Sequence, residues 1–202
     1  MRNLELKVPC QNQEQLQAIA SKAKKHGATY LHTLKQRDTY FQVPRGRLKL
    51  REWTIEEQAP LALDSPKQNI HPDTKKETDP AGATLIAYTR LDEATSRISD
   101  YLLSPVIEPQ TLRMALTETL NTLVVVEKVR ILYQYNNTRI HLDTVAGLGR
   151  FVELETMFEE TTTIEEATAE HQKVITFLGL DTLPPISSSY SDLLIHASSQ
   201  PD

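Results

Sequence analysis

The stretch Thr138-Arg139-Ile140-His141-Leu142-Asp143-Thr144-Val145, a Gly147-Leu148-Gly149 turn, and Arg150-Phe151-Val152-Glu153-Leu154-Glu155 decides the architecture. Both halves alternate residue by residue, the period of a β-strand and not of a helix. The first strand carries Arg139, His141 and Asp143 on one face, backed by Ile140 and Leu142. The second carries Glu153 and Glu155, backed by Val152 and Leu154. Working outward, the pattern recurs. Arg47, Lys49 and Arg51 share a face over Leu48 and Leu50, and Lys128 and Arg130 share another. Glu5 and Lys7 do the same, as do Tyr88 and Arg90.

The remaining segments fit around this hairpin. Strands are expected at Asn3 to Val8, Thr33 to Val43, Arg47 to Arg51, Thr84 to Leu91, Ser96 to Val106 and Leu123 to Gln134. Pro44-Arg45-Gly46 and Asn136-Asn137 supply hairpin turns. Helices are expected at Gln11 to His26, Pro109 to Leu120, Ile164 to Leu178 with Gly179 as cap, and Tyr190 to His196. About eight strands joined mostly by hairpins predict an α+β chain: an antiparallel eight-stranded β-barrel, or tunnel, with helices packed on the outside. Residues 1–196 read as one domain. Within it, Glu57 to Ala83 holds Pro60, Pro66, Pro72 and Pro80 among polar residues and reads as a mobile loop. Residues 197–202 read as a disordered tail.

Composition removes several classes. The chain has 202 residues, 22 Lys and Arg against 27 Asp and Glu, and a formal net charge of −5. With 39% hydrophobic and 24% charged residues, a folded domain is expected. No run approaches the roughly 18 apolar residues of a membrane helix. The start, Met1-Arg2-Asn3-Leu4-Glu5, lacks the apolar region of a signal peptide. A single cysteine, Cys10, excludes an intrachain disulfide and a cysteine zinc cluster. The acidic balance argues against duplex nucleic acid as a partner. These features predict a cytoplasmic protein.

A sheet with charged faces outward is the ordinary arrangement. Here nearly every strand has such a face, and the helices need apolar surface to pack on, so the charged faces are expected to line the interior. That interior repels itself when empty and becomes sensible around a polyanion and metal cations. A triphosphate carries about four negative charges and needs several Lys and Arg donors in place of its water. Carboxylates do not pair productively with phosphate, so Glu5, Asp143, Glu153 and Glu155 point to Mg²⁺ or Mn²⁺, hard ions that share oxygen ligands with phosphates. His141, on the polar face, is a candidate base or ligand. Tyr40, Tyr88 and Tyr133 are candidates for stacking or for packing. Tyr190 either closes the mouth of the tunnel or anchors a C-terminal helix.

Six pieces, in order, resemble the CYTH, or triphosphate tunnel metalloenzyme, superfamily. Asn3-x-Glu5-x-Lys7 resembles its N-terminal Glu-x-Glu-x-Lys signature. Gln36-Arg37-Asp38-Thr39-Tyr40-Phe41 with Gly46-Arg47-Leu48-Lys49-Leu50-Arg51, Leu85-Ile86-x-Tyr88-x-Arg90, and Glu127-Lys128-x-Arg130 follow. Leu142-Asp143 through Glu153-x-Glu155 and Ser189-Tyr190-x-x-Leu193-Leu194 complete the series, and these last two look most like the class IV adenylate cyclase branch. The resemblance implies that Lys7, Arg47, Lys49, Arg51, Arg90, Lys128, Arg130 and Arg139 hold phosphates, with Lys7, Arg51 and Lys128 as the catalytic cations. Tyr40 and Tyr190 join the substrate contacts, and Glu5, Asp143, Glu153 and Glu155 form the metal group. Asn3 departs from the signature: its amide oxygen can coordinate a cation but brings no charge. Three functions follow as expectations: a cyclase converting ATP to cyclic AMP and pyrophosphate, a hydrolase of tripolyphosphate or thiamine triphosphate, and a non-catalytic triphosphate-binding module. Barrels of this size exist alone or paired, so a monomer and a homodimer are both open.

Overall fold

The computed structural model describes residues 3–58, 81–89, 100–158 and 163–199. The strands are β1 (Asn3–Cys10), β2 (Thr29–Phe41), β3 (Arg47–Gln58), β4 (Ala81–Thr89), β5 (Asp100–Pro105), β6 (Thr122–Tyr135), β7 (Thr138–Val145) and β8 (Gly149–Met157). The helices among the described residues are α1 (Gln13–Lys25), α2 (Pro109–Leu120), α3 (Ile164–Leu178) and α4 (Tyr190–Ser198). The strands form one antiparallel sheet in the order β1-β8-β7-β6-β2-β3-β4-β5. The deciding hairpin is present in register: Arg139 faces Glu155 and His141 faces Glu153. Asn136 takes the left-handed turn between β6 and β7 with φ +46°, which asparagine tolerates better than most residues.

The expected eight-stranded antiparallel barrel is met only approximately: all eight strands are present, but among the described residues the sheet does not close. β1 pairs only with β8 and β5 only with β4 among the described residues. Each edge strand carries a proline, Pro9 and Pro105. Proline offers no N–H to a further neighbour, the usual chemistry of a sheet edge. The proline-rich loop expected at 57–83 is flanked by longer strands than predicted; residues 59–80 lie outside the described part. α4 runs through Ser198, so the chain is helical beyond residue 196, and 200–202 lie outside the described residues.

The apolar backs of the strands face helices, as the alternation predicts. Ile140, Leu142, Val152 and Leu154 are buried against Leu16, Ile19 and Ala23 of α1 and Val174 and Leu178 of α3. Leu48, Leu50 and Leu85 pack under Leu112, Leu116 and Leu120 of α2. Burying each such leucine fully contributes about 1.5–3 kcal/mol, so the charged faces are forced to the other side of the sheet. α3 is sealed by a capping box at Thr163 and Glu166 and ends at Gly179 with φ +74°, where a side chain is strained.

α4 departs from the expected outer layer. It lies on the charged side, where the alternation turns apolar at one end: Tyr40, Val126, Val145 and Phe151 form a cluster with Tyr190, Leu193 and Leu194. Its apolar stripe finds a partner there, and its first turn reaches the charged groups. Asp143, Lys128 and Arg130 are 0%, 8% and 6% exposed. A flat solvated face would leave such residues in water; here sheet and α4 enclose them.

Candidate functional site

Three carboxylates organise the enclosed face. Asp38 accepts from Lys49 Nζ at 2.8 Å, Arg51 Nε at 2.9 Å and Nη2 at 2.8 Å, and Gln36 Nε2 at 2.9 Å. The register explains this: Asp38 lies opposite Arg51, with Tyr40 opposite Lys49 on the same face. Asp143 accepts a two-pronged pair from Arg130, Nε at 2.7 Å and Nη2 at 2.6 Å, and the Tyr190 hydroxyl at 2.9 Å. Lys128 Nζ stands 3.6 Å from the same carboxylate. Glu153 takes Lys7 Nζ on Oε1 at 3.0 Å and Arg130 Nη2 on Oε2. Glu155 lies 3.7 Å from Arg139.

The electrostatics follow from burial opposed by close cations. Burial pushes the Asp38 carboxyl up, but Arg51 and Lys49 outweigh it and hold the group well below the usual range. Glu153 behaves likewise, with Arg130 the leading cation, and Asp143 is lowered against its burial chiefly by Arg130 and then Lys128. Lys128 goes the other way: burial first, then the neighbouring Arg130, brings its pKa down to about 8. The unfolded chain keeps the ordinary value of 10.5, so between these two pH values it binds the extra proton. Stability contributed through Lys128 should therefore rise with pH across that window, by at most about 1.4 kcal/mol per pH unit. Urea unfolding between pH 8 and 10 should show a steeper rise for wild type than for Lys128→Met; parallel profiles would contradict the assignment.

The cations Lys7, Lys49, Arg51, Lys128, Arg130 and Arg139 nearly balance Glu5, Asp38, Asp143, Glu153 and Glu155. A triphosphate alone would tip the face to excess negative charge, and a divalent cation would offset it. A cavity of about 320 Å³ opens beside the carboxylates, lined in part by Glu5, Lys7, Glu153, Glu155, Ile186 and Ser187. The donor set fits a divalent cation: one ligand atom each from His141, Glu153 and Glu155 lies within 4.8 Å of the others. His141 is 3% exposed, and its Nδ1 is buried without a hydrogen-bond partner.

The structure gathers most of the residues picked from sequence. Lys7, Lys49, Arg51, Lys128, Arg130, Arg139, Asp143, Glu153 and Glu155 share the enclosed face, with Glu5 at the cavity. Arg47 stands apart: it binds Ser189, Ser191 and Asp192 at 3.2, 3.3 and 2.8 Å and so clamps the start of α4. Asp143 is engaged by Arg130 and Tyr190, which makes it an anchor of the lattice. Tyr40 is buried in the apolar cluster with its hydroxyl 3.4 Å from Lys49. Tyr190 anchors α4 through its hydroxyl on Asp143 and its packing in the apolar cluster, and its ring lies 4.3 Å from Lys7 Nζ and 5.1 Å from Lys128 Nζ. Asn3 donates its amide to Glu5 at 3.0 Å. Arg90 lies outside the described residues. The residue missed was Asp38. Its signal was parity: it sits two positions before Tyr40, whereas Lys35 and Arg37 point away, to Glu56 and Glu127.

Comparison with known proteins agrees with this architecture. The PH1012 protein from Pyrococcus horikoshii OT3 is 22% identical, with a TM-score of 0.66 over 95% of this chain and 98% of that one. A Vibrio parahaemolyticus protein whose proposed activity is adenylate cyclase is 15% identical, with a TM-score of 0.60 over 96% and 98%. A chain of the Schizosaccharomyces pombe Mediator head module is 13% identical, with a TM-score of 0.52 over 92% and 98%. These likenesses establish a shared fold, and a fold hosts more than one function. No curated protein matches the sequence. No helix among the described residues is long and apolar enough to cross a membrane. The CYTH domain family model matches residues 1–190, and this chain belongs to the CYTH domain family.

Proposed function

We propose that this chain is a metal-dependent enzyme acting on a triphosphate held against the enclosed charged face, and that it converts ATP to cyclic AMP and pyrophosphate. The observation that carries the reading is the buried lattice in which Lys7, Lys49, Arg51, Lys128 and Arg130 surround Asp38, Asp143 and Glu153. Guanidinium and ammonium groups already stripped of water and aimed at carboxylate oxygens are prepared for phosphate oxygens of the same charge and hydrogen-bonding type. The family membership and the proposed activity of the Vibrio parahaemolyticus neighbour support it.

Glu153 and Glu155, with Glu5 at the cavity, would hold Mg²⁺ or Mn²⁺. Such a cation supplies Lewis-acid polarisation and charge neutralisation at phosphoryl oxygens. The protein's own groups do the rest. Lys7 turns from Glu153 to the phosphate chain, Asp143 keeps the Arg130 plane fixed beside it, and α4 excludes water from one end. The ribose 3′-hydroxyl gives its proton to water as its oxygen bonds to the α-phosphorus and the bond to pyrophosphate breaks. Lys49, Arg51 and Lys128 stabilise the leaving charge.

A hydrolase reading uses the same lattice. The charged lining of the 320 Å³ cavity, Glu5, Glu153 and Glu155 against Lys7, favours a divalent cation there, and a terminal phosphate would be held through that cation. Product analysis separates the two. Purified protein given ATP with Mg²⁺ or Mn²⁺ should yield cyclic AMP and pyrophosphate. Orthophosphate from ATP, tripolyphosphate or thiamine triphosphate, without cyclic AMP, would replace the cyclase by the hydrolase. Tight binding with no turnover would leave a binding module. Under any of these, Arg51→Ala should weaken triphosphate binding by about 2 kcal/mol, the scale of a charge-assisted contact out of water; equal affinity by calorimetry would remove Arg51 from the phosphate contacts.

A further inference from the structure

Glu153 and Glu155 are not the only donors at the expected cation position. His141 projects from β7 directly opposite Glu153 in the β7–β8 ladder. Its Nδ1 lies 4.0 Å from Glu153 Oε2 and its Nε2 3.9 Å from Glu155 Oε2. Both spacings are too long for hydrogen bonds. A cation takes only one of the two ring nitrogens, and one ligand atom each from His141, Glu153 and Glu155 lies within 4.8 Å of the others, close to the span of about 4.2 Å between two ligands on opposite sides of an ion with bonds of about 2.1 Å. The ring is enclosed, yet Nδ1 has no hydrogen-bond partner. Buried polar atoms left this way are uncommon and call for a missing partner. Arg130 occupies Oε2 of Glu153, but each carboxylate oxygen has two lone pairs, so the ion pair does not exclude coordination.

We propose that His141 is a direct nitrogen ligand of the cation held by Glu153 and Glu155, and that the site therefore prefers a first-row transition ion such as Mn²⁺ over Mg²⁺. This rests on the metal-dependent reading of the site and names the ion it takes. Magnesium favours an all-oxygen shell with several waters, whereas imidazole suits transition ions. One nitrogen among carboxylates shifts the balance without closing the remaining positions, which stay open to phosphate oxygens and water. Coordination also draws Glu153 away from Lys7, which then becomes available to the substrate. Metal binding and phosphate binding thus assist one another.

The test is pulsed electron paramagnetic resonance on the full chain loaded with Mn²⁺ alone, paired with calorimetric titrations of Mn²⁺ and Mg²⁺. The expected spectrum shows modulation from a directly bound ¹⁴N that disappears in His141→Gln, a substitution of similar size that offers an oxygen. The preference for Mn²⁺ over Mg²⁺ should shrink by roughly tenfold in that variant. His141→Ala serves as a second variant, with far-ultraviolet circular dichroism to confirm folding. Mn²⁺ bound with no nitrogen modulation would overturn the histidine ligand and leave the metal-dependent reading standing. Modulation that persists in His141→Gln would overturn it as well, since another nitrogen would be responsible. If wild type binds no Mn²⁺, both the ligand and the metal-dependent reading fall.

Discussion

Replacing Asp143 by alanine should cost the fold about 3–5 kcal/mol, the penalty of leaving buried cations without their counter-ion. Asp143 is 0% exposed and serves Arg130, Lys128 and Tyr190 together. Its loss strands Lys128 near an arginine and removes the acceptor that holds Tyr190, so α4 should loosen as well. Asp143→Asn separates charge from packing. It fills the same space but removes the negative charge, and it should lose most of the same stability. Urea unfolding followed by fluorescence and circular dichroism checks this. A loss below about 1 kcal/mol in both variants would mean that the lattice is far more solvated than its burial indicates.

Glu153→Gln should lower turnover on the order of 10²-fold or more, since it removes a charged donor at the cation position while keeping shape. The same substitution frees Lys7 and Arg130 from their carboxylate. Binding of tripolyphosphate without metal should therefore stay equal or tighten even as turnover falls, and more metal should be needed for the remaining activity. That opposed pair of effects distinguishes a cation-holding carboxylate from a merely structural one. Unchanged turnover and an unchanged metal titration would dismiss Glu153 from the site.

Much of this arrangement is legible in alternation alone. Leu48 and Leu50, Ile140 and Leu142, and Val152 and Leu154 demand helices over them, and that demand turns Lys49, Arg130, Asp143 and Glu153 to the opposite side. Asp38 shows where a reading by charge clusters fails. Its neighbours Lys35 and Arg37 carry the cationic charge of this segment, but parity sends them to exposed pairs and sends Asp38 inward. Openness of the sheet was not legible, because closure depends on whether β1 and β5, 90 or more positions apart in the sequence numbering, find one another. The prolines at both edges explain the outcome only once those strands are known to be edges. The place of α4 was also hidden. Its Tyr190, Leu193 and Leu194 stripe fits any apolar patch, and the patch it uses is assembled from β2, β6, β7 and β8. Arg47 followed from that: it shares the parity of Lys49 and Arg51, but α4 arrives beside it and takes its guanidinium.

The most direct test of the central claim is calorimetric titration of the full chain with tripolyphosphate, with and without Mn²⁺. Opposed carboxylates and cations on an enclosed face predict one binding site per chain, affinity that rises when Mn²⁺ is present, and binding that weakens as salt is raised. Neither tripolyphosphate nor ATP producing heat, with Mn²⁺ or Mg²⁺ at low salt, would contradict it.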